Sequence, residues 1–229
     1  MNNIFYLDFS SSMLKITLNE TLACVSCNKP LQELLFNEQF FPLLFKIIMP
    51  FPLIGILFLA INHKRFIAES SIIKRAKPLI YAGFFLGVGM IGFLDGIFLH
   101  QILQWHQMIS NILPPDSLIN KQVNTFWDGI FHVFTWAMIA LGILLLWKLI
   151  RKKSKLNFSN KVFAGSIILG GGVFNFLDSI INHYILQLHN IREQTEHPMM
   201  YNHVFLVFAI LLIAIGLMLI RHGLKQSPV

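Results

Sequence analysis

A chain of 229 residues that is 55% hydrophobic and 13% charged, with mean hydropathy +0.63, lies outside the soluble globular range, where about a quarter of residues are charged. Its net charge of +7 does not carry a nucleic-acid reading, because the basic residues collect in short segments between apolar runs. Those runs are continuous rather than alternating and about 20 residues long, enough to cross a hydrocarbon core roughly 30 Å thick, so the class is helical and polytopic.

Residues 1–40 are mixed in polarity and read as an extracytoplasmic amino-terminal segment with no cleavable signal peptide. They hold both cysteines, Cys24 and Cys27, at a CxxC spacing that suits a disulfide, a thiol-exchange pair or half of a metal site. The first span is expected over residues 41–61, kinked by Pro50 and Pro52. A basic loop follows, with Lys64, Arg65, Lys74, Arg75 and Lys77 against the single acid Glu69. Residues 79–150 form a helix hairpin, and residues 162–221 form another after a second basic block from Lys148 to Lys161. Lys- and Arg-rich short loops stay in the cytoplasm. The two basic loops and the carboxyl tail carry 13 of the 18 basic residues, which sets the amino terminus outside, the carboxyl terminus inside, and five spans.

The two hairpins repeat one another. GFLDGIFLHQILQWHQM, residues 92–108, returns as NFLDSIINHYILQLHNI, residues 175–191, and among the conserved pairs are Asp95/Asp178, His100/His183, Gln104/Gln187 and His106/His189. The echo extends to FHVF at 131–134 and NHVF at 202–205, so His132 and His203 enter as a further pair. The expected fold is all-α, five transmembrane helices, four of them a pseudo-twofold bundle of parallel repeats. This orientation puts His100, His106, His132, His183, His189 and His203 at the outer boundary, together with Asp95, Asp128 and Asp178.

Intramembrane ionisable residues are functional hypotheses by default, and a duplicated set is a stronger one. Imidazole suits copper, zinc, iron and nickel, and bundle cores assemble ligands from facing helices. Three histidines from each half would serve two ions, a ligand set that fits dinuclear copper better than di-iron, which calls for glutamates. Iron, zinc or a bis-histidine haem are the alternatives. On a straight helix His100 stands about 140° from Asp95. The aspartates are therefore assigned to orienting the histidines, with Asp128 four residues before His132 on one face, and Gln104 and Gln187 as further supporting groups. Trp105, Trp127 and Trp136 read as interfacial anchors or packing.

At GFLDGIFLHQILQWHQM and DGIFHVF the sequence resembles a family of bacterial membrane proteins designated domain of unknown function 2243, over roughly residues 77–225. That family commonly has a second histidine where this chain has Gln107, which implies that position 107 is not an essential ligand. The resemblance implies a bacterial inner-membrane protein and, through a genomic setting near cytochrome oxidase assembly factors, tilts the metal toward copper. The expected function is a copper oxidoreductase using dioxygen or oxidising a quinol or small substrate. A copper chaperone or assembly factor for a respiratory oxidase is the alternative. The expected partners are the lipid bilayer and such an oxidase or its assembly factors, with no nucleic acid and with homo-oligomerisation left open.

Overall fold

The computed structural model describes residues 29–48, 71–151 and 159–226. Cys24, Cys27 and most of the expected first span lie outside the described residues. Six α-helices are described: α1 (Lys29–Leu35), α2 (Phe40–Ile48), α3 (Ser71–Asp95), α4 (Leu118–Arg151), α5 (Asn160–Asp178) and α6 (Pro198–Gln226). Two π-helical segments, Gly96–Ile102 and Ser179–Ile185, continue α3 and α5 without a break. No strand occurs among the described residues. Four helices are long and apolar enough to cross a membrane, over Arg75–Ile102, Leu118–Arg151, Asn160–Ile185 and Pro198–Gln226. The protein is an all-α polytopic membrane protein. The described part of the expected first span is α2, whose nine residues are too few to cross alone.

Burial separates the four long helices into two kinds. The most apolar windows of α3 and α5 are 44% and 50% buried, those of α4 and α6 17% each, so α3 and α5 form the centre and the others flank it. What lets the central pair approach is a reciprocal glycine contact. A Cβ on Gly87 would strike the Ile167 carbonyl, and one on Gly170 would strike the Phe84 carbonyl. Gly87 and Gly170 hold equivalent repeat positions, so the crossing reads the same from either helix. Without glycine at both, dispersion contact between these backbones would be lost.

The flanking helices seat on the centre with their own matched contacts. Gly142 packs on Leu86 as Gly216 packs on Leu169, and Gly89 faces Ile139 as Gly172 faces Ile213. These pairs align α4 with α6 so that Asp128 corresponds to Asn202, Phe131 to Phe205 and His132 to Leu206. The FHVF/NHVF echo is thus three residues out of structural register. Three residues are close to one helical turn, so the echo keeps the face while missing the level. His132 and His203 are not equivalent positions.

Candidate metal centre

The site forms where both central helices leave α geometry. Leu103 N–H donates to the Phe98 carbonyl at 2.8 Å and Leu186 N–H to the Ile181 carbonyl at 2.7 Å, the five-residue closure of a π turn. That wider turn brings the residue five positions on back toward the starting face. His100 Nε2 accordingly lies 3.5 Å from Asp95 Oδ2, and His183 Nε2 lies 3.3 Å from Asp178 Oδ2. The 140° separation of a straight helix does not apply. π segments of this kind are frequent at functional sites.

The chain then reverses at a glutamine in each half. Gln104 (φ 50°) and Gln187 (φ 48°) sit in the left-handed region, which costs an ordinary residue about 1–2 kcal/mol and marks a position the surroundings enforce. Both side chains are exposed, and their contribution is the backbone turn. Two residues later the chain turns inward and delivers His106 and His189 beneath His100 and His183. Asp95 and His106 therefore do not share a helix face, as eleven residues of continuous helix would require; His106 is on a loop.

Each loop histidine is held by a carbonyl of the other loop. His106 Nδ1–H donates to the Ile191 carbonyl at 2.8 Å, and His189 Nδ1–H donates to the Met108 carbonyl at 3.0 Å. The loops also exchange backbone bonds, Asn111 N–H to Leu188 O at 3.0 Å and Glu193 N–H to Trp105 O at 3.1 Å. Arg192 braces the loops, its guanidinium 5.2 Å from the ring centroids of both Trp105 and Tyr201 and its Nη1 bonded to the Tyr201 hydroxyl at 2.8 Å. So Trp105 clamps the loops.

Four imidazoles result, only 1–2% exposed each: His100, His106, His183 and His189. His106 and His189 stack with centroids 4.5 Å apart, while His100 meets His106 at 4.4 Å and His183 meets His189 at 4.8 Å, edge to face. Candidate ligand atoms of His100, His106 and His189 all lie within 4.8 Å of one another, and so do those of Asp178, His183 and His189. Among the described residues, His100 Nε2, His106 Nε2 and both nitrogens of His183 have no hydrogen-bond partner. Burial, followed by the charges of the other imidazoles, holds His106 well below the ordinary histidine range. Burial and then His183 push His189 down to about 3. Both are neutral at pH 7, the form in which imidazole binds metals.

Of the six expected histidines the structure gathers these four. His132 packs on Gly96 and pairs its Nε2 with the Gln101 amide at 3.1 Å; His203 is exposed and bonds through Nδ1 to the Met199 carbonyl of its own helix. Asp128 does not serve His132. Its Oδ1 accepts from His100 Nδ1 at 2.8 Å and from Met108 N–H at 2.9 Å. Supporting groups that the sequence reading missed are amides. Asn124 takes the Ile109 N–H at 3.1 Å, Asn182 donates to Asp178 at 2.7 Å, and Asn202 takes the Ile191 N–H at 2.9 Å. Their signal was a polar side chain on an apolar helix face, weaker than a charge.

The fold and the site thus define an all-α polytopic membrane protein with a buried histidine and aspartate cluster where its two central helices pass into the loops that follow them. The chain belongs to the family of predicted membrane proteins designated domain of unknown function 2243, whose model matches residues 82–223. No curated protein and no solved structure matches it.

Proposed function

We propose that this is an intramembrane metalloprotein in which a late first-row transition ion, copper before zinc or iron, is held by Nε2 of His100, His106 and His189. The observation that carries the reading is the anchoring: each of these rings has Nδ1 tied to an acceptor, which leaves Nε2 free for a ligand. Anchoring through the second nitrogen is how proteins orient metal-binding histidines and set their tautomer. Unpaired buried nitrogens otherwise cost about 1–3 kcal/mol each. The second group, Asp178, His183 and His189, shares His189, whose Nδ1 is engaged by Met108. Sharing favours one firmly held ion over the two that six histidines would serve. Imidazole rings in contact with one another leave no slab for a porphyrin, which favours an ion over haem.

An oxidoreductase is the activity this supports best. The site is sealed from water and rigid in its imidazoles, so an ion changing charge by one electron would meet little reorganisation, and an ion that must bind and release water would be ill served. When bound, copper would supply that one-electron couple; the chain's residues hold it, exclude water and, at Asp95 and Asp178, accept protons. Dioxygen or a quinol are the substrates of choice. Arg75, Lys77, Lys148, Arg151, Lys161, Arg221 and Lys225 lie at the helix ends far from the cluster, which supports a centre at the outer face of a bacterial inner membrane with the carboxyl terminus inside.

Elemental analysis of protein purified from copper-supplemented cells should find about one copper per chain, lost in His106→Ala and kept in His132→Ala and His203→Ala. Wild-type protein that takes up no transition metal would overturn the reading. Oxygen uptake with quinol tests turnover; its absence in metal-loaded protein would leave a metal carrier, as for an oxidase assembly factor.

A further inference from the structure

The two halves of the cluster share most of their groups; besides Asn182, which bonds Asp178 where the first half has Leu99, and His132 against Leu206, they differ at one position that touches the central histidines' loops. Phe131 stacks on His100 with centroids 5.7 Å apart, and its counterpart Phe205 lies 6.0 Å from His183. Asp95 faces His100 as Asp178 faces His183. The Met108 N–H is taken by Asp128 and its counterpart, the Ile191 N–H, by Asn202. A carboxylate in one half is thus an amide in the other, and the neighbouring histidines register the change.

His100 has two carboxylates to choose between. Asp128 is at 2.8 Å from Nδ1 and Asp95 at 3.5 Å from Nε2, so a neutral ring places its one proton on Nδ1. His183 has no such choice. Asn202 Oδ1 is taken by the Ile191 N–H, and its Nδ2 donates to Asn190 Oδ1 at 2.8 Å and to the Met199 sulfur. Among the described residues no group partners His183 Nδ1, and the carboxylate oxygen that faces its other nitrogen is Asp178 Oδ2, 3.3 Å from Nε2. A neutral His183 therefore keeps its proton on Nε2.

We propose that the Asp128/Asn202 difference sets the two central histidines in opposite tautomers, leaving His100 bare at Nε2 and His183 bare at Nδ1. Asp128 is then a positioning residue acting through His100, and Asn202 is its silent counterpart. In combination with the metal reading above, on which this last consequence rests, His100 offers Nε2 to the ion while the Nε2 of His183 is closed by its own proton.

The test uses metal-free, full-length protein in nanodiscs with ¹⁵N-labelled histidine, the two signals assigned by loss in His100→Gln and His183→Gln. His100 should show a protonated Nδ1 and a bare Nε2, and His183 the reverse. Asn202→Asp should move His183 to the His100 pattern, and Asp128→Asn should release His100 from it. The same tautomer at both rings in the wild type, or a His100 protonated at both nitrogens, would overturn the proposal, and so would a His183 unmoved by Asn202→Asp. The wild-type spectrum alone decides if a variant fails to fold. Failure of the metal reading is seen separately, in elemental analysis, and leaves the tautomer result standing.

Discussion

Replacing Gly170 by alanine tests whether the glycine crossing sets the geometry of the cluster. The added Cβ would fall on the Phe84 carbonyl, a backbone atom that no rotamer change can move, so α3 and α5 must separate by roughly the depth of the overlap, on the order of 1 Å. Overpacking against a rigid neighbour costs about 1–3 kcal/mol. In a chain of this length that lowers the melting temperature by about 2–12 °C, at 2–4 °C per kcal/mol. Asp178 and His183 lie along the same helix, eight and thirteen residues further on, and the shift carries them away from His106. Gly129→Ala is the internal control: it sits mid-helix in α4 with nothing within 4 Å of the added Cβ, and alanine there should be neutral or up to about 1 kcal/mol stabilising. Differential scanning fluorimetry in detergent reads both. If Gly170→Ala melts with the wild type while Gly129→Ala does not exceed it, the close crossing is not what holds the central pair.

Asp128→Ala strands two buried donors, His100 Nδ1–H and Met108 N–H, and at about 1–3 kcal/mol for each should lower stability by about 2–6 kcal/mol, measured by thermal or denaturant unfolding. Asp128→Asn keeps an acceptor and should lose less. Removing the clamp with Arg192→Ala abolishes cation–π contacts of about 0.5–2 kcal/mol, and hydrogen exchange should rise in residues 103–113 and 186–195 with the helix interiors unchanged. In metal-free protein His189 titrates near 3 when folded and near 6.5 when unfolded, so the unfolded state binds more protons between those values and stability falls as pH falls. From pH 6.5 to 5 the loss from this group is about 2 kcal/mol, seen as a falling melting temperature; a flat profile would show that His189 is not buried neutral.

Reading the chain from its residues alone succeeded where physics is local and composition-driven. The cost of placing uncharged backbone in lipid makes long apolar runs into helices whatever their neighbours do, so α3 to α6 follow from hydropathy. The repeat of Asp, His, Gln and His marked His100, His106, His183 and His189, because charged and titratable side chains in apolar helices need a reason to persist. Tertiary structure decided the remainder. Whether a helix takes a π turn depends on the energy recovered when the chain it redirects meets a partner elsewhere, here His106 with the Ile191 carbonyl and His189 with the Met108 carbonyl, and no spacing rule on one strand of text contains that term. The same holds for register: FHVF and NHVF match as letters, but Gly142 on Leu86 and Gly216 on Leu169 set the level of each flanking helix, and with it put Asp128 beside His100 and Asn202 in the matching place. Pattern along the chain supplied the residue types. Close packing between helices, where each contact must fit to within a few tenths of an ångström, chose which of them meet.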